Sequence, residues 1–360
     1  MGNEQHGTSE VSRRTFVASS TVVGIGATAG CLDDLEETVS GEGGFGDDGT
    51  FSGEATVTHW PDLMYNAPYH VGLENGYFQE GGIEIDIVGS EGGGTTVRNV
   101  VDGGLPFGEV ATPAAINAYL AGTPIVVVAA ATQTVDEINW VAPQGSDIES
   151  IEDLEGGSMG FTSAGSVTET TAALVSASAD EIDTDSVEFQ EMGGVGEGLT
   201  AVDDGAIDAA ANMDPIYSDQ QEEEETWQVV FWAGDYVDRF QQTSIIVDPD
   251  VVEENPDAVE AYLEARSQGV ETLREDPDEA AEIFSAGAEG FSSDVMRNAI
   301  ENVDPEEYYT TGAFDVEGLR NVEEAMYATE LLDEDEEIPW NEIFDQSFLS
   351  DDDHIDFDEI

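Results

Sequence analysis

Between residues 54 and 247, short runs of β-branched and aromatic residues alternate with helical stretches, and beyond Pro249 only helical stretches remain. This order constrains the fold more than any other feature. Strands separated by helices close into mainly parallel sheets with helices packed on their faces. The strand candidates are 56–60, 83–88, 107–110, 125–130, 158–162, 187–190, 209–213, 229–232 and 244–247. The clearest helices between them are 95–101, 113–120, 167–177 and 199–203, each entered from a turn rich in Gly, Thr or Ser that can cap its first amides. Later helices, at 257–274, 277–288, 292–300 and 316–331, are expected to wrap a sheet built earlier. A length of 360 residues exceeds what one compact core usually holds, so two lobes are expected. Segments 100–107 and 201–208 echo each other as a helix end, a Gly turn and a new strand, as two similar α/β lobes would.

The charge balance removes whole classes of function. The chain has 81 acidic and 8 basic residues, a formal net charge of −73, and every basic residue is Arg. A protein without lysine cannot hold a substrate or pyridoxal phosphate as a Schiff base, and it has no Walker-type phosphate loop. Such a charge repels nucleic acid and anionic lipid surfaces, so no nucleic-acid partner is expected. At molar salt the Debye length falls to about 3 Å, and the same carboxylates become screened, hydrated solubility groups. The composition therefore reads as adaptation to concentrated brine. The acidic runs 222–225, 333–337 and 351–353 read as solvated faces, while 40% apolar residues suffice for real cores. His6, His59, His70 and His354 have no metal-ligand spacing, and neither a metal nor a cofactor is expected.

The N-terminus reads as an address. Ser12-Arg13-Arg14-Thr15-Phe16-Val17 leads into small, moderately apolar residues ending in Thr28-Ala29-Gly30-Cys31. This resembles a twin-arginine signal over 1–30 followed by a lipobox. No apolar run approaches the roughly 18 residues that would span a bilayer. Cys31 is the one cysteine, so an intramolecular disulfide is excluded and the residue is expected to carry the lipid anchor. Residues 41–53 hold six Gly without periodicity, which reads 31–53 as an acidic, Gly-rich flexible tether.

A series of motifs then falls in a specific order. Ala67-Pro68-Tyr69, Glu74-Asn75-Gly76-Tyr77-Phe78 and Gly82-Ile83-Glu84-Ile85-Asp86 are followed by Gly122-Thr123-Pro124-Ile125-Val126-Val127-Val128. Ile151-Glu152-Asp153-Leu154-Glu155-Gly156-Gly157-Ser158-Met159-Gly160 and Gly205-Ala206-Ile207-Asp208-Ala209-Ala210 come next, with Glu254-Asn255-Pro256-Asp257 and Asp276-Pro277-Asp278-Glu279-Ala280-Ala281 after them. Over residues 55–288 the chain resembles the SsuA/THI5-like, or NMT1-like, substrate-binding proteins of ABC transporters, in a form suited to a haloarchaeal lipoprotein. Pro106 departs from the family pattern, and since Pro cannot donate in a sheet, its strand is expected to start at Phe107.

The resemblance implies an α/β protein of the type II periplasmic-binding-protein fold, two doubly wound lobes joined by a two-strand hinge. Lobe one is expected over 54–142 and 240–360 with the C-terminal helices, lobe two over 143–239, with hinge crossings near 142 and 240. Ligands of open α/β sheets sit beyond the carboxyl ends of the strands. The loops there are 60–66, 92–95, 109–113, 132–133, 163–168 and 213–217. Trp60 and Tyr65 offer flat walls, and Asn66 and Gln133 can orient polar edges. Gly93, Thr95, Ser163, Ser166 and Thr168 belong to turns that read equally as ordinary helix caps or as nests for an anionic or polar group. Glu109 and Asp214 are acceptors suited to an amino group, and Thr112, Thr132 and Met213 complete the expected lining. Core packing is an equal alternative for Trp60, and Arg98 and Arg239 read chiefly as surface residues.

The implied function is binding, without catalysis, of a small organic nitrogen or sulfur compound by lobe closure. The classes in view are a sulfonate or taurine, nitrate, or a thiamine-precursor pyrimidine, with a nitrogen-containing organic solute favoured. The implied partners are the solute, an ABC permease and its ATPase, and the membrane through a lipid anchor only. A monomer at the extracellular face of the cell membrane is expected. The alternatives are a THI5-like pyrimidine-synthesis enzyme, opposed by the missing lysine, and a non-transport surface sensor. No Gly-x-Ser-x-Gly elbow with a following His supports a hydrolase.

Overall fold

The computed structural model describes residues 43–46, 49–90, 92–178, 186–222, 227–288, 290–333 and 336–360. The expected export signal, the anchor Cys31 and the first part of the tether lie outside the described residues. All that follows concerns the compact unit Ser40–Ile360.

Eleven strands are described: β1 (Gly44–Phe45), β2 (Phe51–Thr58), β3 (Ile83–Ser90), β4 (Phe107–Ala111), β5 (Val126–Thr132), β6 (Ile138–Pro143), β7 (Ser158–Phe161), β8 (Glu188–Glu191), β9 (Ala209–Met213), β10 (Trp227–Trp232) and β11 (Thr243–Val247). They form two sheets. In the first, β2 pairs with β1, β3 and β4, and β11 and β5 follow beyond β4. In the second the order is β10-β6-β9-β7-β8. β2 runs parallel to β3 and β4, and β7 parallel to β8 and β9. Each sheet contains one strand antiparallel to both its neighbours, β11 in the first and β6 in the second.

Side-chain pattern follows position in the sheet. From Val127 to Ala131, β5 is completely buried, as expected of a strand covered on both faces. β3 alternates buried Ile83 and Ile85 with exposed Glu84 and Asp86, the pattern of a strand with one wet face. The acids find structural work at helix starts. Asp276, Asp304 and Asp315 each accept an amide of the helix that follows, and Ser292 does the same for Ser293–Asn302. The late helices do wrap the earlier layers. Pro256–Glu275 packs on Ala67–Glu74, Val316–Ala328 lies against Val167–Ser178, and Ser293–Asn302 meets Ile216–Glu222.

Three sequence expectations need correction. Within the expected tether, β1 pairs with β2, and Phe51 is fully buried, edge-on to Phe45 at 5.5 Å and 5.9 Å from Phe107. Burying that ring, worth roughly 1.5–3 kcal/mol, draws the Gly-rich segment onto the sheet. Strand β6 was not expected, because Asn139, Trp140 and Pro143 interrupt its β-branched pattern. It pairs only in the second sheet, so the chain leaves the first sheet before residue 138 rather than near 142. The links themselves, 133–137 and 233–242, are the two crossing segments, and they lie outside the paired strands. As the sequence required, β4 begins at Phe107, directly after Pro106.

Candidate functional site

Register places the carboxyl ends of both sheets at the two links. In the first sheet, Thr243 at the start of antiparallel β11 lies opposite Ala111 and Thr132, the last residues of β4 and β5. In the second, Ile138 at the start of β6 lies opposite Met213, the last residue of β9. Both links therefore run between the carboxyl ends of the sheets, where loops feed helices and small ligands of open α/β sheets are held. Thr132 and Met213 end β5 and β9, Thr112, Gln133 and Asp214 directly follow a strand, Glu109 lies in the middle of β4, and the other expected site residues lie in the segments after β2, β3 and β7.

A buried polar network underlies the first sheet's end. The Glu109 Oε1 accepts from Thr243 Oγ1 at 2.8 Å, while Oε2 accepts from Tyr69 at 2.7 Å and from Arg266 Nε at 3.1 Å. Arg266 also donates to the carbonyls of Thr310 and Ala131 at 3.0 and 3.1 Å, and its guanidinium lies 5.5 Å from the Tyr69 ring centre. Glu109 is thus engaged inside the protein instead of being free for a ligand amine. Thr112 shares a 2.8 Å hydrogen bond with Ser244. Thr132 donates to Gln242 Oε1 at 2.8 Å and bonds Thr243 at 2.7 Å.

The loops after β2 and β5 continue this layer. Tyr65 is buried with its hydroxyl 3.0 Å from His59 Nδ1, and burial, with Glu109 and Glu137 nearby, raises its pKa well above 10.0. Asn66 donates to the His59 carbonyl at 3.1 Å, leaving its buried Oδ1 without a partner. Gln133 donates to the Ala313 carbonyl at 2.6 Å. Trp60 is stacked 4.1 Å from His70, itself 5.2 Å from Phe284, so one face of the expected ligand wall is covered. Gly93 opens its helix where an added Cβ would lie 2.7 Å from Ala114, a packing reason for glycine. Thr95 Oγ1 accepts from Arg98 at 2.9 Å, and Arg239 pairs at the surface with Glu307.

In the second sheet, Ser163, Ser166 and Thr168 form the turn into Val167–Ser178. The Ser166 hydroxyl accepts the amides of Glu169 at 3.2 Å and Ser163 at 3.5 Å and bonds Thr168 at 2.9 Å, while Thr168 Oγ1 accepts the Thr162 amide at 2.9 Å. One amide of this turn is taken by the chain's own acid: Gly165 donates to Glu169 Oε2 at 2.6 Å. Met213 ends β9 and Asp214 follows it. Asp214 Oδ1 accepts from the Ser218 amide and hydroxyl at 3.0 and 2.7 Å, and Oδ2 accepts from Asn302 at 3.0 Å. Burial raises the Asp214 pKa despite these donors.

Sequence reasoning missed the groups at the links. Glu137 is buried between β5 and β6; its Oε1 accepts from Gln242 Nε2, and the Tyr308 hydroxyl is a second neutral donor to the carboxyl. Burial pushes its carboxyl up to about 8, the Gln242 bond opposing the shift. Tyr308 and Tyr309 lie beside it, their pKa values raised by burial and then by Glu137. Arg266 carried a readable signal, since it occupies an apolar-stripe position between Tyr262, Leu263 and Val270 in Pro256–Glu275. Two surface hollows lie apart from this layer. One is lined by Tyr77, Glu260, Glu264 and Phe348, the other by His70, Glu74, Glu282 and Ile283, and neither includes any expected site residue. Among the described residues, no acid, His or Cys cluster could hold a metal, and no helix is long and apolar enough to cross a membrane.

Two lobes of this topology, with crossings at the strand ends, define the periplasmic-binding-protein fold. The sulphonate-binding protein SsuA of Escherichia coli matches with a TM-score of 0.65 at 14% identity, over 81% of this chain and 91% of that one. The ligand-binding component of an ABC-type import system from Staphylococcus aureus, solved with zinc bound, matches at 0.67 and 11% identity, over 82% and 97%. The desulfurization enzyme DSZB matches at 0.58 and 15% identity, over 82% and 97%. Among curated proteins none matches the sequence. The family model described as NMT1/THI5 like matches residues 64–280, more than half of the chain, and the protein belongs to that family.

Proposed function

We propose that this protein is the extracellular solute-binding component of an ABC importer, closing its two lobes on a small organic compound and delivering it to a permease and its ATPase without covalent chemistry. The observation that carries the reading is the convergence of both sheets' carboxyl ends on two chain crossings, an architecture suited to hinge closure around a solute. Family membership and likeness to binding components of import systems support it. Lobe one is proposed to comprise the first sheet with most of the C-terminal helices, and lobe two the second sheet. Export by the twin-arginine route and anchoring through Cys31 complete the proposal, resting on the N-terminal motifs.

The ligand-facing surface is assigned to Tyr65, Asn66, Thr95, Gln133, Ser163, Ser166 and Thr168, with the open face of Trp60. Because Glu169 already fills the Gly165 amide, and Arg239 is paired with Glu307, a nitrogen-bearing organic solute is favoured over an oxyanion. A thermal-shift screen in molar potassium chloride, comparing hydroxymethylpyrimidines, taurine, alkanesulfonates and nitrate, tests this, since a ligand of the folded state raises Tm. The expected result is a rise with a nitrogen heterocycle that Ser166→Ala reduces. A rise with nitrate alone would overturn the solute class, and a Ser166→Ala variant with full response would overturn the placement of the site. The likeness to DSZB leaves catalysis as the second reading, tested by product analysis on any hit.

A further inference from the structure

Glu137 is the last residue before β6, and Gln242 is the last before β11, so each closes one of the two links between the sheets. The links are bound to each other at this point. Gln242 donates from its amide group to Glu137 Oε1, accepts from Thr132 Oγ1 at 2.8 Å, and Phe240 donates its backbone amide to the Gln133 carbonyl at 3.0 Å. The second sheet is fastened to the same residue, because the Asp214 amide donates to the Glu137 carbonyl at 3.1 Å.

Among the described residues the carboxyl itself has no counter-charge. The titratable groups facing it are Asp136 on its own link, Tyr65 from the turn after β2, and Tyr308 and Tyr309 from the C-terminal segment. None is a cation. Arg266 is committed to Glu109 and two carbonyls, and Arg239 to Glu307. Buried, and facing only the neutral donors Gln242 and Tyr308, an ionised Glu137 would lack both solvent and a counter-charge, which disfavours the charge.

We propose that Glu137 couples the hinge to a proton: the docked lobes hold its carboxyl protonated, their separation at the links admits water and releases the proton, and closure on a solute takes one proton up. This rests on the lobe-closure reading above. The sign follows from burial. The docked form keeps its proton up to about pH 8, whereas a hydrated glutamate loses it near 4.5. Between those values closure binds a proton, so lowering the pH favours the closed form, by up to about tenfold per pH unit.

The test measures the distance between spin labels on the full chain, carried by Asn117→Cys on one lobe and Thr200→Cys on the other in a Cys31→Ser background. Spectra are taken in molar potassium chloride from about pH 6 to about pH 9.5. The expected result is a shift toward longer distances as the pH rises in the wild-type background and a pH-independent distribution in Glu137→Gln. If that variant does not fold, the infrared carbonyl band of a protonated carboxyl decides, and it must disappear over the same pH range as the distance lengthens. A distance that responds to a solute found by the thermal screen but not to pH, or that responds to pH equally in Glu137→Gln, overturns the proton coupling and leaves lobe closure standing. A distance that responds to neither overturns both.

Discussion

The side-chain amide of Asn302 donates to the Asp214 carboxylate at 3.0 Å, tying a C-terminal helix to the residue that follows β9 in the second sheet. Ser218 holds the other oxygen of the same carboxyl, so the acid is oriented from both sides. Asp214 therefore acts as a clasp between layers, although its place after a strand suggests a ligand contact.

Removing that clasp is expected to loosen the junction without unfolding either sheet. Asn302→Ala leaves Asp214 with Ser218 only, and the loss of a hydrogen bond to a carboxylate costs about 1.5–3 kcal/mol. The midpoint of urea unfolding should fall accordingly, while Asn302→Asp, which sets a second acid against Asp214, should fall further. An Asn302→Ala midpoint equal to that of the parent would show that the bond contributes nothing.

Arg266 and Glu109 make a harsher case. Both are buried, and among the described residues no other cation meets the Glu109 carboxylate. Arg266→Met strands a buried charge, and a loss of about 3–5 kcal/mol is expected. Adding Glu109→Gln to Arg266→Met should recover part of it, because the uncompensated charge is then gone. Denaturant unfolding of the two single variants and the double variant measures this directly, and additive losses would contradict the pairing.

Stability should depend on pH through Glu137. Its folded pKa, about 8, stands above the ordinary 4.5, so the folded state binds a proton that the unfolded chain releases. The contribution is complete below pH 4.5 and is lost progressively as pH rises toward and through about 8. Subtracting the pH profile of Glu137→Gln from that of the parent in thermal unfolding isolates this contribution. A difference that grows in the opposite direction would mean that the carboxylate, and not the acid, is the buried form.

Much of the architecture was legible because strand and helix periods are local. The run Ile125 to Ala130 announces a strand, found at Val126–Thr132, and Pro106 fixes where β4 begins. Strand β6 was hidden because its partners β9 and β10 lie far along the chain and supply the pairing that its own residues do not signal. The site shows the same division. Position in or beside an expected strand-end loop singled out Glu109, Thr132 and Asp214, whereas their engagement by Arg266, Gln242 and Asn302 depends on tertiary folding across 157, 110 and 88 residues of separation. Glu137 offered only an acid beside an apolar run, and its lack of a cation is visible solely in three dimensions.

Packing of Pro256–Glu275 against Ala67–Glu74 supplies a last prediction. A Cβ added at Gly269 would stand 2.2 Å from the Pro68 carbonyl oxygen, a backbone atom that cannot turn aside. Gly269→Ala must therefore push the two helices apart, and overpacking of this kind costs about 1–3 kcal/mol. Gly94 makes the control, since it too lies within a helix but its nearest obstacle is the end of the flexible Arg98 side chain at 3.6 Å. There Gly94→Ala should be neutral or stabilising by up to about 1 kcal/mol, as alanine restricts the unfolded chain and favours the helix. The two variants should move Tm in different directions in the same scan. If both lower it equally, the close approach of the helices is not what requires glycine at Gly269.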